Sequence, residues 1–600
     1  MRNKITKHIV ILAVLVSAVA CDLTERMQVQ ADKSMIFGTE SGLATYARSF
    51  YEQLPSPASA GWDESGFCDY AACKSMSSFF INGAYNVESS TSWSWGDLHD
   101  INYFLDGLKS EYCSVDEGVR QNYEGIARWF RAYFYYSKLT KYGEVPWIDH
   151  CLQNYELDYM YKDRDSRDEI IARMIEDLDF AYDHIKASSA IGASTLTKWC
   201  AAALKSRICL FEASYRKYHN LTGMKYSADD LFREAAAAAN LIISSGKFSL
   251  NMNAGKVGAY RELFANEEPN AQESILAVCC NAESGIYSEQ NWHFNSASYG
   301  NGNCLSRAFV YTFLYRDGSR FTDQADYSCI EFKDEFTNRD ERLAQIVRGP
   351  EYKMSGEPRV ADIANGVAQT GYHIIKFSLD EDQFDNTNKN YNSTPIIRYA
   401  EILLNYAEAK AELGELSAED WASTIGAIRK RAGIEDGGTL PTSIDPYMKE
   451  TFYPGVTSPV IMEIRRERAI ELFFEGFRFD DLRRWACGRL IQYLPWTGIH
   501  ISALDTPVDV NGDGKYDYFF SESAVPESHE YKAIWVQVNS NPEGLWAVAN
   551  SVSGYDLERK TVDGRKWYDD DRQYLYPIPG KVIRDYAAEG YTLSQNPNWE

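Results

Sequence analysis

The sequence lacks the patterns that mark the common enzyme classes. It has no G-x-S-x-G elbow, no H-E-x-x-H, no G-x-x-x-x-G-K loop and no G-x-G-x-x-G turn, so nucleophile, zinc-protease and nucleotide signatures are absent. Histidine is scarce, at nine residues, and unclustered, which argues against zinc and against Ser-His catalysis. The twelve cysteines include no C-x-x-C pair. Cys279 and Cys280 are adjacent, and the eleven cysteines other than Cys21 are an odd number at irregular spacings, so mostly buried free thiols are expected. Positive charge is also short, with 61 Lys and Arg against 86 Asp and Glu and a net charge of −25. Such a surface repels phosphate backbones and anionic lipid, which excludes a nucleic-acid partner. Glycoside hydrolysis alone stays open, because it needs only two carboxylates about 5–10 Å apart.

What is present is a large globular chain. Hydrophobic residues make up 45% of its 600 positions, enough for a substantial core. Length alone allows several domains. Aromatic content is high at 14%, with 41 Tyr and 14 Trp, which suits a protein that stacks flat ligands and equally a Tyr-rich helical core. At the start, Arg2, Lys4 and Lys7 precede the apolar run from Ile9 to Ala20. That run is too short to span a bilayer and right for a secretory signal. It ends Ala18-Val19-Ala20-Cys21. Small residues directly before a cysteine resemble the lipobox at which bacterial lipoproteins are cleaved and acylated, here on Cys21. Ala18 departs from the usual large aliphatic residue, and Ala18 with Ala20 fits an ordinary signal cleavage as well. No later run reaches eighteen apolar residues, so the expected mature chain, 21–600, is tethered rather than embedded.

Helical periodicity dominates the first half and returns late. Helices are expected over 36–54, 95–108, 123–149 (ending at Gly143), 166–185 (Ser166 as N-cap), 197–218 (Thr197) and 229–248 (closing at Gly246). A further pair covers 396–416 and 421–434. The stretch 460–489, VIMEIRRERAIELFFEGFRFDDLRRWACGR, places Ile461, Ile464, Ala469, Leu472, Phe473 and Leu482 at helical spacing, with charges between that such a helix would ordinarily keep in water. Glu467, Glu471 and Glu475 fall at i, i+4, i+8, but no Glu-x-x-His step accompanies them, so structural ion pairs are expected rather than a di-metal site. Small-residue helix pairs of this kind, with Ala400, Ala407 and Ala411, resemble tetratricopeptide repeats. The expected fold is mainly α: a tetratricopeptide-like helical-repeat scaffold (36–248 and 396–489) with large loop-rich insertions (249–395 and 490–600).

These motifs also carry a family resemblance. RRERAIELFFEGFRFDDLRRW resembles the late-helix motif of the SusD/RagB family of outer-membrane nutrient-binding lipoproteins. The segments 95–108, 123–149, 336–350 and 370–377, and the closing YLYPIPGKVIRDYAAEGYTLSQNPNWE, resemble further family motifs in the same chain order. The resemblance implies one SusD-like domain over 21–600 and an outer-membrane, lipid-anchored, surface-exposed location. It further implies capture of a glycan for delivery to a SusC-like TonB-dependent transporter, with no catalysis and no required cofactor. A RagB-like peptide carrier and a surface glycoside hydrolase are the alternatives.

Two kinds of candidate site follow. In DVNGDGKYD, residues Asp509, Asn511, Asp513 and Asp517 occupy loop positions 1, 3, 5 and 9, with Gly514 at 6 and the Lys515 carbonyl available. Those positions turn oxygens toward a hard cation, so a structural Ca²⁺ is one reading. Phe520 stands where the bidentate Glu would be, and a turn joining two strands is the other reading. For a sugar, stacking aromatics and polar partners in loops are wanted. The loop 55–95 offers Trp62, Asp69, Tyr70, Asn86 and Trp93; the segment 281–303 offers Tyr287, Trp292, Asn295 and Tyr299. Ordinary packing is the competing explanation for each aromatic.

Overall fold

The computed structural model describes residues 33–599 apart from 60–63, 65, 190–191, 525, 527–531, 540–546 and 561–563. Cys21 with its preceding apolar run, and Trp62, lie outside the described residues.

The fold is built on helices that pack in chain order. After the short α1 (Lys33–Phe37) and α2 (Glu40–Ser49) come α3 (Gly96–Leu108), α4 (Glu117–Tyr142), α5 (Arg167–His184), α6 (Lys198–Tyr218) and α7 (Ala228–Ser245). Each of α3 to α7 packs on the next. The capping residues work as the sequence indicates. The Ser166 hydroxyl accepts from the Glu169 amide at 3.3 Å, satisfying one of the orphan donors of α5. Gly246 ends α7 at φ +62° and Gly143 ends α4 at φ +75°, values that favour glycine. The second helical block is α8 (Tyr399–Glu412), α9 (Pro459–Glu471) and α10 (Arg478–Arg484). Here α8 packs on both α7 and α9, and α10 returns onto α6. The scaffold is therefore mainly α and repeat-like. Among the described residues no helix is long and apolar enough to cross a membrane.

Three segments differ from the sequence reading. The helix expected over 36–54 is Lys33–Phe37 and Glu40–Ser49, followed by a 3-10 turn at Phe50–Gln53. Thr394–Arg398 is a strand antiparallel to Ser274–Val278, so the helix begins only at Tyr399; cross-strand pairing overrides the helical spacing of Ile396 and Ile397. The segment expected as one helix over 421–434 is two short ones, Ala418–Ser423 and Ile425–Arg431, broken at Thr424. The insertions are also more than loops. Tyr260, Phe264, Phe294, Phe309, Phe377, Trp496, Ile499 and Phe520 bury a second hydrophobic cluster, distinct from the one lined by the first helices.

The largest departure concerns the charges of α9. They are buried: Arg465, Arg466, Glu467, Arg468 and Glu471 are all at most 3% exposed. The ion-pair reading holds, but most pairs run between elements rather than along the helix. Glu471 accepts from Arg398 at 2.6 Å, from Arg342 at 2.9 Å and from Arg431. Glu467 pairs with Arg342 at 2.6 Å and Arg429 at 2.9 Å. Glu475 takes Lys376 at 2.5 Å and Arg398 at 2.7 Å. Burial alone would raise the Glu471 carboxyl; the Arg431, Arg398 and Arg342 guanidinium groups outweigh it and hold the group well below the usual range. These carboxylates clamp strand and helices together. They hold no metal.

Candidate functional site: an aromatic platform on a braced loop

Two remote stretches meet at one place. Ala71–Ala72 pairs antiparallel with Cys304–Leu305, which brings the early loop region against the 281–303 segment. Lys74 N–H donates to the Asn301 carbonyl at 2.7 Å. The Asn301 side chain bridges Ser75, accepting from its amide at 2.9 Å and donating to its carbonyl at 3.0 Å. The Lys74 ammonium donates to the Ala297 carbonyl. Gly302 completes the join: its φ is +58°, and a Cβ there would stand 2.9 Å from the Gly366 carbonyl oxygen. Only glycine meets both demands.

On this braced loop sits a ring pair. Trp292, on the short helix Gln290–Asn295, stacks on Tyr299 with centroids 3.9 Å apart and planes 8° from parallel. Trp292 is half-buried, whereas Tyr299 is 43% exposed, so the stack turns apolar ring surface toward solvent. Beneath it Asn295 is locked. Its amide donates to Asp385 at 2.7 Å, while its carbonyl accepts from Arg348 at 3.1 Å and from His373 at 2.9 Å. Asn291 adds a second anchor, donating to Asp385 at 3.0 Å and to the Leu379 carbonyl at 2.8 Å. Burial pushes the Asp385 carboxyl up against the lowering effect of these amides. Burial, helped by the Arg348 charge, drops His373 well below its ordinary value, and burial takes His293 down to about 4. Both imidazoles are neutral at physiological pH. His373 donates through Nε2, since its Nδ1 accepts from the Asp362 amide at 3.4 Å. The polar groups under the rings thus brace one another, and the rings are what faces outward.

The other sequence candidates fall in different places. Asp69 and Tyr70 are corrections: they are 0% and 1% exposed. Asp69 accepts from Arg478 at 2.7 Å through both oxygens, and the Tyr70 hydroxyl donates to the buried Glu64. A loop without periodicity read as surface; it is a core plug whose partner is some 400 residues away. Trp93 packs edge-on against Tyr142 (5.0 Å) and Trp95 (5.3 Å), joining the helical core. Asn86 is exposed but caps its own turn, accepting from Glu88 N at 2.9 Å and Ser89 N at 3.2 Å. Tyr287 is half-buried with its hydroxyl on the Ala282 carbonyl at 3.2 Å. Asn295 supports the platform from below. Arg348, His373, Asp385 and Lys74 were not foreseen, because they reach the loop from segments that only the fold brings near.

The 509–517 loop joins the antiparallel strands Pro507–Val508 and Tyr518–Ser521. Its acidic groups serve the turn. Asp509 accepts from Gly512 N at 2.7 Å and Gly514 N at 2.8 Å, Asn511 from Asp513 N at 3.1 Å, Asp513 from Lys515 N at 2.9 Å, and Asp517 from Val510 N at 2.8 Å. Among the described residues no three of His, Cys, Asp or Glu are grouped to hold a metal ion. The strand-joining turn is present, and its carboxylates lie close enough together that burial, with the Asp509 and Asp513 charges, raises the Asp517 carboxyl.

Fold and loop together define a helical-repeat protein that carries a ring platform on a rigid surface loop. The chain belongs to the SusD family, whose sequence model matches residues 272–599, more than half its length. A curated relative, SusD-like protein P2 of Formosa agariphila, is 24% identical over 365 residues; the match spans 60% of this chain and 64% of that protein. Among solved structures, a SusD-like protein from Bacteroides fragilis NCTC 9343 superposes with a TM-score of 0.66 at 20% identity, covering 95% of this chain and 99% of the other. A SusD-like carbohydrate binding protein of the same organism gives 0.64 at 20% identity, over 92% and 99%. At these identities the structural likeness speaks for the fold.

Proposed function

We propose that this chain captures a glycan at the cell surface and hands it to a SusC-like TonB-dependent outer-membrane transporter, making and breaking no bond. The observation that carries the reading is the Trp292–Tyr299 stack, held rigid from below and open above. A pyranose ring presents an apolar C–H face that matches such a surface. Pre-organisation lowers the ordering cost of binding, and the loop is pinned by hydrogen bonds to three separate segments. A protein of the same fold described as carbohydrate binding supports a sugar. An acyl anchor at Cys21 would hold the protein at the outer membrane beside the transporter. Asp385, which accepts from both Asn291 and Asn295, serves as a brace of the loop.

The test is a glycan array followed by calorimetry, on wild type and Trp292→Ala. Binding without reducing-end release, weakened in the variant, supports the proposal. Binding to peptides alone would move the assignment to the RagB-like alternative, and release of reducing ends would return the hydrolase.

A further inference from the structure

A cavity of about 730 Å³ that shares no residue with the platform lies between the second helical block and α6. Its wall is largely apolar, with Phe452, Val456, Ile461, Trp485, Leu490 and Tyr493 among the lining side chains. The volume falls in the range of about 300–1,000 Å³ that small-molecule sites occupy. Arg465 also lines it and is 1% exposed.

Arg465 stands apart from its neighbours. In the same stretch Arg466 pairs with Asp445 and Glu463, Arg468 with Asp481, Arg478 with Asp69, Arg483 with Asp480, and Arg484 with Glu408 and Asp481. Among the described residues Arg465 has no carboxylate partner. Its Nη1 reaches only the Cys487 sulfur at 3.9 Å, and its Nε and Nη2 have no hydrogen-bond partner. Three rings surround the guanidinium carbon: Trp485 at 4.5 Å, Tyr218 at 4.8 Å and Tyr453 at 5.2 Å. The acid nearest to serving it from the wall is Glu412, which is already engaged by Lys217 at 2.7 Å and by the Tyr218 hydroxyl at 2.5 Å. Arg489, also on the wall, has Asp571 at 3.1 Å. Arginine does not shed its proton in proteins, so the cavity keeps one buried cation with donors unfilled. Leaving such a charge unpaired is costly, and a carboxylate meeting the planar fork is the chemistry that fills it.

We infer that this cavity is a second ligand site, taking a small monocarboxylate with an aromatic or branched apolar body, its carboxylate on Arg465 and its body against Trp485, Phe452 and Ile461. The site is independent of the glycan platform.

The experiment is calorimetry of the purified chain with benzoate, phenylacetate and 4-phenylbutyrate, with phenylacetamide as the uncharged control. At least one acid is expected to bind one-to-one, with phenylacetamide weaker than its acid by about ten-fold or more. Arg465→Met keeps volume and removes the charge; it is expected to fold and to lose about ten-fold or more in acid affinity. Thr457→Trp, at an exposed rim position, closes the mouth without touching the guanidinium and is expected to abolish binding. Should Arg465→Met fail to fold, Thr457→Trp and the acid–amide pair decide. The inference is overturned if no acid binds below about 10 mM, if acid and amide bind alike, or if either variant binds as wild type. It is overturned too if Trp292→Ala removes acid binding, which would place the acid at the platform.

Discussion

The ion-pair core around Glu471 and the platform at Trp292 are built from opposite materials. Around Glu471 the charges are buried and paired: three guanidinium groups converge on one carboxylate. At the platform the polar groups are turned inward against one another and the rings are turned outward. The first arrangement leaves nothing for a ligand to satisfy and fixes one geometry. The second leaves an apolar face whose burial is favourable only when something flat arrives. Rich charge in the sequence therefore marked the scaffold, and a few ring side chains in a Gly/Asn/Ser-rich loop marked the surface where binding is proposed.

The contrast is broken most severely at Glu471. Glu471→Ala takes one shared carboxylate from three buried arginines, leaving Arg342 with Asp340 and Glu467, Arg398 with Glu273 and Glu475, and Arg431 with Glu273, and is expected to cost roughly 3–5 kcal/mol; urea unfolding would show it, and a loss under about 1 kcal/mol would mean the network is decorative. A pH series sharpens the same point. Arg466 and Arg429 hold Glu463 down at about 2 against the raising effect of burial. A carboxyl depressed in the folded state stabilises above its unfolded pKa, so that contribution is fully present above pH ~4.5 and lost as pH falls toward about 2. Stability measured at pH 5, 4 and 3 should decline in that order. The platform should behave differently: with His293 and His373 neutral, glycan affinity is expected to be flat between pH 6 and 8, and a large change there would implicate a titrating group.

Smaller effects follow on the platform side. Tyr299→Ala should cost about 2 kcal/mol of glycan binding, roughly thirty-fold, since truncating a central aromatic contact has that scale. Its melting temperature should hardly move, because the ring is exposed. Asn295→Ala leaves Asp385, Arg348 and His373 short of a partner and should cost about 1–2 kcal/mol in stability, with binding weakened through the loop rather than through lost contact. Asp509→Ala, at the turn, is expected to cost about 1 kcal/mol or less and to be indifferent to added calcium; a calcium-dependent melting temperature in wild type would overturn the turn reading.

Much of the scaffold was legible because its signals are local. Ser166, Gly143 and Gly246 sit where caps and stops belong, and the ordered family motifs tied the pieces into one architecture. The failures were failures of distance. Nothing near Asp69 in sequence announces Arg478, and nothing near Ile396 announces the strand Ser274–Val278 that pairs with it. The burial of the α9 charges was hidden for the same reason, since their partners Arg342, Arg398 and Arg431 lie on other segments. For the platform, the loop and its rings could be named, but the Trp292–Tyr299 stack and its brace through Asp385, Arg348 and His373 could not.

The most direct measurement is calorimetric titration of an array-selected glycan into the chain lacking residues 1–21, comparing wild type with the Trp292→Ala, Tyr299→Ala double variant. Saturable one-site binding in wild type, abolished in a double variant that melts at the wild-type temperature, is the expected result. Undiminished binding in that variant would contradict the account and place glycan capture elsewhere on the surface.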